Sequence, residues 1–365
     1  TCHAFRGNDT RCTTLLVLHS DVYNQDTVCL RSVFPPYLEG RSMNAMNPDP
    51  IEALDPDLRA PARALMGRRV SFRDIPAARA AMEGQMPPTG TAAVALKQVE
   101  TEERVVPGPE GAPDVTLRIM RPVGRERPLP LLYWLHGGGY VLGSVADEEP
   151  ACALFAVEAG CAVGLVEYRL APEHPFPAGL EDCYAGLRWM ASAADGLGID
   201  RDRIAVGGPS AGGGLAAALA LLARDRAEVS IALQLLIWPM IDDHNVAPPD
   251  DTHPDAVGWT REANIHCWRA YLGREPGGDG ISHYAAPSRA TDLKELPPAY
   301  VAVGDRDLLA DEGITYAREL IRAGVHTELH VYPGACHAFD WIAPDAEVSK
   351  RYAADLYGAL RRGLR

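Results

Sequence analysis

The chain has 365 residues, of which 47% are hydrophobic and 23% charged, and its formal net charge is -14 at pH 7. This length and composition are sufficient to bury the core of one large domain. The acidic balance argues against a nucleic-acid partner, because binding to phosphates requires a basic surface. No apolar run reaches the roughly 18 residues of a membrane-spanning helix, so membrane insertion is not expected.

The cysteines indicate a reduced protein. The sequence contains 8 of them but neither a C-x-x-C pair nor a Cys/His spacing typical of a zinc site. They are sparse for this length, which favours free thiols in the core of a cytoplasmic protein over a disulfide framework. We therefore expect no metal site, and no motif requires a cofactor.

The first segment, residues 1–42, has no hydrophobic period and one short apolar run, Leu15 to Leu18. That run is too short for the apolar region of a secretory signal peptide. We interpret residues 1–42 as a non-native or disordered extension, with Met43 or Met46 as the natural start.

Two amphipathic helices are predicted next. Residues 58–66 and 75–82 carry apolar side chains at the i, i+3, i+4 and i+7 positions. We assign residues 43–90 to these N-terminal helices and expect them to form part of a cap over the main domain, residues 91–365.

Residues 97–106 and 115–120 are β-rich and predict an antiparallel hairpin at the start of the main domain. Short apolar runs then alternate with helical segments, which predicts a mainly parallel sheet with helices on both faces. These runs are 131–135, 161–168, 204–207, 231–238, 299–303 and 327–331. At about 240–286 the periodicity lapses, apart from a helix at 262–272, and we interpret this segment as an insertion that completes the cap.

A glycine loop follows the strand at 131–135, in the order His136, Gly137, Gly138, Gly139, Tyr140. Glycines leave backbone N–H groups accessible, and rigid N–H donors stabilise the negative charge of a tetrahedral intermediate. Three successive glycines are entropically costly in a plain turn, so a functional loop is favoured.

The pentapeptide Gly208 to Gly212 has the pattern G-x-S-x-G between a predicted strand and a predicted helix. This is the context of a nucleophile elbow, which would expose the hydroxyl of Ser210 at the same sheet edge as the glycine loop. Residues 212–217 also fit the dinucleotide pattern G-x-G-x-x-A. That alternative ranks lower, because the next strand, 231–238, does not end in the acidic residue the pattern requires.

A serine nucleophile needs a histidine base and a carboxylate to orient it. His337 lies in a loop directly after a late strand, whereas the other histidines lie in the extension, in the insertion or in structural positions. Asp305 and Asp307 both follow the strand 299–303, and their spacing does not choose between them. Asp311 and Glu312 open the next helix, where acids favour the helix dipole and need no catalytic explanation.

Five motifs in this order resemble the hormone-sensitive lipase family of α/β-hydrolases, also called the bacterial family IV esterases. The resemblance covers about residues 131–339 and rests on His136-Gly137-Gly138-Gly139, Tyr168-Arg169-Leu170-Ala171-Pro172-Glu173-His174-Pro175-Phe176-Pro177-Ala178, Gly208-x-Ser210-Ala211-Gly212-Gly213, Asp307-Leu308-Leu309-x-Asp311-Glu312-Gly313 and His337-x-Phe339. The triad order Ser, Asp, His agrees with it.

The resemblance implies an α/β-hydrolase fold with a helical cap and residue roles for a serine carboxylesterase acting on short- to medium-chain acyl esters. It assigns the triad acid to Asp307, the oxyanion donors to Gly137, Gly138 and Ala211, and a substrate-binding role to Tyr140. It also raises homodimerisation as a hypothesis. Because the histidine base must be neutral, we expect activity to rise from mildly acidic to alkaline pH.

The chain departs from the family pattern at Pro209, where the family usually has Asp, and at Ala338, where it often has Gly. These departures put selectivity in doubt rather than activity. The alternative function is a non-catalytic small-molecule binding protein on the same fold, as in the gibberellin receptors, which lose the catalytic histidine. The presence of His337 argues against it.

Overall fold

The computed structural model describes residues 49–67, 70–82, 90–246 and 257–365. The interpretation of residues 1–42 lies outside these ranges. Within them, eight strands form one sheet in the order β1-β2-β4-β3-β5-β6-β7-β8. The strands are β1 Val99–Val106, β2 Val115–Pro122, β3 Leu129–Trp134, β4 Ala162–Glu167, β5 Ile199–Pro209, β6 Leu233–Ile237, β7 Ala299–Gly304 and β8 Thr327–Tyr332.

The sheet is mainly parallel, as the sequence predicts. β1 and β2 form the expected antiparallel hairpin, and β2 also pairs antiparallel with β4. From β4 to β8 every neighbouring pair is parallel. β6 and β7 are buried along their whole length, because a parallel sheet covered by helices on both faces exposes neither side.

The helices pack on both faces of this sheet. They are α1 Pro56–Met66, α2 Ile75–Met82, α3 Gly90–Ala95, α4 Val145–Ala159, α5 Ala178–Ser192, α6 Ala194–Leu197, α7 Ala211–Arg226, α8 Arg261–Leu272, α9 Ala310–Arg322, α10 Phe339–Ile342 and α11 Glu347–Gly363. Side chains of β3 alternate between two hydrophobic layers. Leu131 and Tyr133 join the layer with α5, α7 and α9, and Leu132 and Trp134 join the layer with α1, α4 and α11.

The two predicted N-terminal helices exist but lie in different layers. Leu58 of α1 packs in the layer of α4 and α11, whereas Ile75 and Ala78 of α2 pack in the opposite layer. Helix α8, in the predicted insertion, shares the layer of α2, so α2 and α8 are on the same side of the sheet. Within the described ranges, no helix combines the length and the apolar character needed to span a membrane.

Candidate active site

Ser210 lies at the turn between β5 and α7 with a positive φ of 56° and ψ of -120°. Such a conformation is strained for any residue other than glycine and is the geometry of a nucleophile elbow. The glycines of the pentapeptide make the turn possible, because a Cβ at Gly208 would lie 2.3 Å from the carbonyl oxygen of Leu135 and one at Gly212 only 2.0 Å from it. The sharp turn therefore requires glycine at both positions.

Ser210, His337 and Asp307 come together although they are distant in sequence. The Nε2 of His337 is 3.1 Å from the Oγ of Ser210, and its Nδ1 is 2.7 Å from the Oδ2 of Asp307. All three side chains are buried. Because a carboxylate can only accept, Nδ1 carries the proton and Nε2 presents its lone pair to the serine hydroxyl. This is the arrangement of a nucleophile, a base and an orienting acid.

The structure separates the two aspartates that sequence spacing leaves open. Asp307 is buried and reaches His337, and its Oδ1 also accepts the N–H of Leu309 at 3.0 Å. Asp305 is exposed, and its Oδ1 accepts the N–H of Gly334 at 2.6 Å. Asp305 thus links two loops and does not reach the imidazole.

The glycine loop leaves β3 beside the elbow and is held by side chains. The Nδ1 of His136 is 2.7 Å from the carbonyl oxygen of Gly137, so this nitrogen must carry a proton. The ring of His136 stacks on Tyr168 at a centroid distance of 4.0 Å. Burial lowers the pKa of His136 to about 4, which keeps the buried imidazole neutral.

The N–H groups of this loop point in different directions. The N–H of Gly137, which the family resemblance assigns to the oxyanion site, instead makes a long hydrogen bond of 3.4 Å to the Oε1 of Glu148. The carbonyl of Gly138 accepts from Val141 and Leu142. Among the described residues, the N–H groups of Gly138, Gly139 and Ala211 have no acceptor. Three donors are thus available at the edge that carries Ser210.

Comparison with known proteins agrees with this geometry. A family model described as the alpha/beta hydrolase fold matches residues 132–340. Carboxylesterase NlhH of Mycobacterium tuberculosis is 38% identical over 273 residues, which are 74% of this chain and 84% of that protein. Ethyl acetate hydrolase of Pseudomonas putida is 33% identical over 262 residues, which are 67% and 82% of the two chains. A solved bacterial heroin esterase is 43% identical with a TM-score of 0.79, covering 87% of this chain and 100% of that one.

The chain belongs to the α/β-hydrolase family. It is a carboxylic ester hydrolase of the hormone-sensitive-lipase-like group, family IV, as the sequence motifs indicate. The non-catalytic binding function is not favoured, because the relatives are esterases and the imidazole of His337 contacts Ser210.

Aromatic side chains line the esterase site on the side of the insertion. The ring of Trp259 lies 5.9 Å from that of His337 and 5.3 Å from that of Phe72, which precedes α2. Trp259 also approaches Gly139, where a Cβ would be 2.7 Å from its Cη2. Trp259 therefore borders both His337 and the glycine loop, and no sequence motif indicates this position.

Tyr140 is buried beside the site, but its hydroxyl is not free. It donates to the carbonyl oxygen of Met240 at 2.5 Å, and its ring stacks on Tyr271 at a centroid distance of 3.9 Å. The hydroxyl of Tyr140 is therefore engaged with the backbone, and the substrate-binding role expected for Tyr140 stays a prediction.

Glu312 has a structural contact that sequence reasoning missed. Its carboxylate accepts the N–H of Ile241 at 2.9 Å and the Nδ2 of Asn245 at 3.2 Å. Asn245 also donates to the carbonyl oxygen of Leu308, next to Asp307. Glu312 therefore anchors the start of the insertion to the loop that carries Asp307.

The two departures from the family pattern lie next to the reacting groups. Pro209 ends β5, and its ring lies 3.5 Å from where a Cβ of Gly137 would be. Ala338 has a positive φ of 56°, a conformation in which glycine carries no penalty and alanine does. This explains why glycine is common after the histidine.

Neither the dinucleotide alternative nor a metal site gains support from the described residues. A Cβ at Gly214 would lie 2.1 Å from the carbonyl oxygen of Met240, so this glycine allows close packing of α7. Asp242, Asp243 and His244 lie within 4.8 Å of one another. The guanidinium of Arg289 donates to both oxygens of Asp243, which offsets the charge that would attract a cation.

Proposed function

We propose that the esterase hydrolyses short- to medium-chain acyl esters with Ser210 as nucleophile, His337 as general base and Asp307 as the acid that orients it. The observation that carries this proposal is the continuous pair of hydrogen bonds from Asp307 through His337 to Ser210, 2.7 Å and 3.1 Å long. Both distances are within the range for proton transfer and orientation.

In the first half-reaction His337 accepts the proton of Ser210 while Oγ attacks the ester carbonyl. The imidazolium then gives this proton to the departing alkoxide, and an acyl-enzyme and an alcohol result. In the second half-reaction His337 takes a proton from water as the water oxygen attacks the acyl-enzyme, and the imidazolium returns this proton to Oγ of Ser210 as the acid leaves. We expect ping-pong kinetics and a burst of alcohol where deacylation is slow.

For the oxyanion we propose the N–H groups of Gly138, Gly139 and Ala211. This retains two of the donors expected from the family resemblance and replaces Gly137, whose N–H donates to Glu148. In a trans peptide the N–H and the C=O point in opposite directions. The carbonyls of Gly137 and Gly138 are held inside the loop, so the N–H groups that follow them face away from it.

The acyl preference is proposed from the walls of the site. Trp259 and the ring of Tyr140 are bulky and buried, which limits the room beside Ser210. The relative named ethyl acetate hydrolase acts, by its name, on an acetyl ester. Short acyl chains, acetate included, therefore fit better than long ones.

We further propose that the segment with α2 and helix α8 together form the cap over the catalytic domain. Arg73 pairs with Glu262 of α8 at 2.5 Å, and Phe72 packs on Trp259. Five buried cysteines in the described ranges are free, which favours the cytoplasm. Homodimerisation remains a hypothesis by analogy, and light scattering on the purified protein tests it.

The test of the proposed triad is a p-nitrophenyl ester series from acetate to palmitate on wild type, Ser210→Ala and Asp307→Asn. We expect Ser210→Ala and Asp307→Asn to lose about 10⁴-fold or more in kcat. Asp305→Asn is the matched control, because Asp305 lies two residues before Asp307 on the same loop. Its kcat should stay within about three-fold of wild type, because Asp305 does not reach the imidazole.

Retention of turnover by Ser210→Ala would overturn the proposed nucleophile. A collapse of activity in Asp305→Asn with Asp307→Asn unaffected would exchange the roles of the two aspartates. Higher kcat/KM for palmitate than for acetate or butyrate would contradict the proposed chain length.

A further inference from the structure

Glu148 is a buried carboxyl that the reaction scheme does not use. It lies in the first turn of α4, is 2% exposed and forms no ion pair with a residue of the described ranges. Burial raises its pKa to about 7. Burying an acid without a cationic partner lowers the free energy of unfolding. The hydrogen bonds of Glu148 therefore indicate what its carboxylate does in the fold.

Both carboxylate oxygens accept from the root of the glycine loop. Oε2 accepts the indole N–H of Trp134 at 3.0 Å, and Oε1 accepts the backbone N–H of Gly137 at 3.4 Å. Trp134 is the last residue of β3, so Glu148 ties the end of the strand to the first glycine after it. Among the described residues, no other side chain accepts a hydrogen bond from the N–H of Gly137.

The orientation of this N–H determines the direction of the loop. The peptide between His136 and Gly137 has its N–H on Glu148, and its carbonyl, on the opposite side, accepts from the hydroxyl of Tyr168 at 2.9 Å. The next peptide has its carbonyl on Nδ1 of His136, so the N–H of Gly138 points away from that ring. A rotation of the first peptide would therefore turn the second.

We propose that Glu148 is a positioning residue for oxyanion stabilisation, which holds the peptide before Gly137 so that the amides of Gly138 and Gly139 face Ser210. The inference rests on the proposed function, because it assigns a role to those amides. Glu148 touches no reacting atom and acts through the backbone. Donors must be in place before the charge develops, so a loose loop slows the chemical step more than it weakens substrate binding.

Two substitutions separate positioning from stability. Glu148→Met keeps the length and volume of the side chain and removes both acceptors, whereas Glu148→Gln keeps one acceptor oxygen. Asp243→Asn is the control, since Asp243 is also a buried acid that accepts a backbone N–H, that of Gly277 at 2.7 Å, but it lies in the insertion.

The measurements are kcat and KM for p-nitrophenyl acetate, the inhibition constant of butylboronic acid, and unfolding in urea, all at pH 8. Butylboronic acid bonds to the oxygen of Ser210 and places an anionic tetrahedral centre in the oxyanion site. For Glu148→Met we expect kcat to fall about 10- to 100-fold with KM within about three-fold, and the inhibition constant to rise by a similar factor. Its stability in urea should equal or exceed that of wild type, because the buried charge is gone.

Glu148→Gln should lie between wild type and Glu148→Met in both kcat and boronic acid affinity. Asp243→Asn should keep both within about three-fold of wild type, whatever its stability. If Glu148→Met does not fold, Glu148→Gln tests the proposal in its place. Equal losses in kcat and in affinity for the boronic acid support the proposal, and a loss in kcat alone overturns it.

Unchanged kcat in folded Glu148→Met overturns the proposal, as does an equal loss in Asp243→Asn. These results are distinct from failure of the proposed function, which Ser210→Ala tests. If Ser210→Ala is inactive and Glu148→Met is fully active, the triad stands and only the role of Glu148 falls.

Discussion

The glycine loop and the pair of loops that carry Asp307 and His337 meet at Ser210 but are held in different ways. Side chains from other elements hold the glycine loop: Glu148 of α4 at its root, and Arg79 of α2, which donates to the carbonyl oxygen of Val141 at 2.6 Å. The shape of this loop thus depends on side chains that belong to other elements.

The acid and base loops hold each other through the backbone. The N–H of Asp305 donates to the carbonyl of Tyr332 at 3.1 Å, and that of Arg306 donates to the carbonyl of Ala335 at 3.0 Å. These bonds continue the pairing of β7 with β8 beyond the ends of the strands. Most side-chain substitutions leave them intact.

This difference predicts two ways in which substitutions lower turnover. With the proposed roles, we expect turnover to be lost through the acid and base loops chiefly when Asp307 or His337 themselves are replaced. Through the glycine loop, we expect turnover to be lowered by changing side chains that take no part in the proposed chemistry. The following experiments probe this contrast, in order of decreasing expected effect.

The largest effect is expected for Gly138→Ala. A Cβ there would lie 2.0 Å from the carbonyl oxygen of Leu142, so the loop must shift and two oxyanion donors with it. We expect kcat for p-nitrophenyl acetate to fall about 100- to 1000-fold. Gly124→Ala is the control, because Gly124 also has a positive φ but would meet nothing within 4 Å. Equal activity of the two variants would show that the loop tolerates displacement.

The second prediction concerns how the free energy of unfolding depends on pH, and it involves His136. When folded, this histidine stays neutral down to a pKa of about 4, whereas an unfolded histidine takes up a proton near pH 6.5. The stability it contributes is fully present above about pH 6.5 and is lost progressively as the pH falls towards 4. Between pH 7 and pH 5 we expect this residue to account for about 2 kcal/mol of lost unfolding free energy.

Urea titrations at pH 7 and pH 5 measure this loss in wild type and in His136→Gln. The variant should be less stable at pH 7 but should lose less on acidification. His326→Gln, at an exposed position, should keep the pH dependence of wild type. An identical pH dependence in His136→Gln and wild type would contradict a neutral buried imidazole.

The smallest effect is expected for Arg79→Ala. Its guanidinium also donates to the carbonyl oxygen of Ala171 and to both oxygens of Glu173, so it connects α2 to two loops near the site. We expect kcat/KM for p-nitrophenyl butyrate to fall about three- to ten-fold, because the loop is displaced slightly. Arg73→Ala removes an exposed ion pair to Glu262 and should have no measurable effect. A larger loss in Arg73→Ala than in Arg79→Ala would refute this ranking.

Much of the fold could be predicted because parallel strands buried on both faces leave a simple pattern. The runs that become β3 and β7 are continuously apolar, that of β6 is interrupted only by Gln234, and the helices between them are long enough to cross back. The turn that carries Ser210 was predictable for a related reason, since a strand-to-helix turn this sharp admits few residue types at Gly208 and Gly212.

The remaining features depend on contacts that sequence spacing does not contain. The amides proposed for the oxyanion are offset by one residue from the expected set, because Glu148, eleven residues after Gly137, accepts the first N–H. Asp305 and Asp307 differ only in which side of the loop each side chain faces. The division of α1 and α2 between opposite layers could not be predicted from periodicity, which gives the apolar face of a helix but not its partner.

The close packing behind the elbow has a consequence for directed evolution of this enzyme. At Gly212, Gly213 and Gly214 a Cβ would fall within 2.0 to 2.9 Å of another backbone or side-chain atom, so randomising these codons should yield mostly inactive clones. The walls contributed by Phe72 and Trp259 come from segments outside the sheet. Libraries aimed at bulkier substrates are best concentrated there, where variation can alter the cleft without disturbing its chemistry.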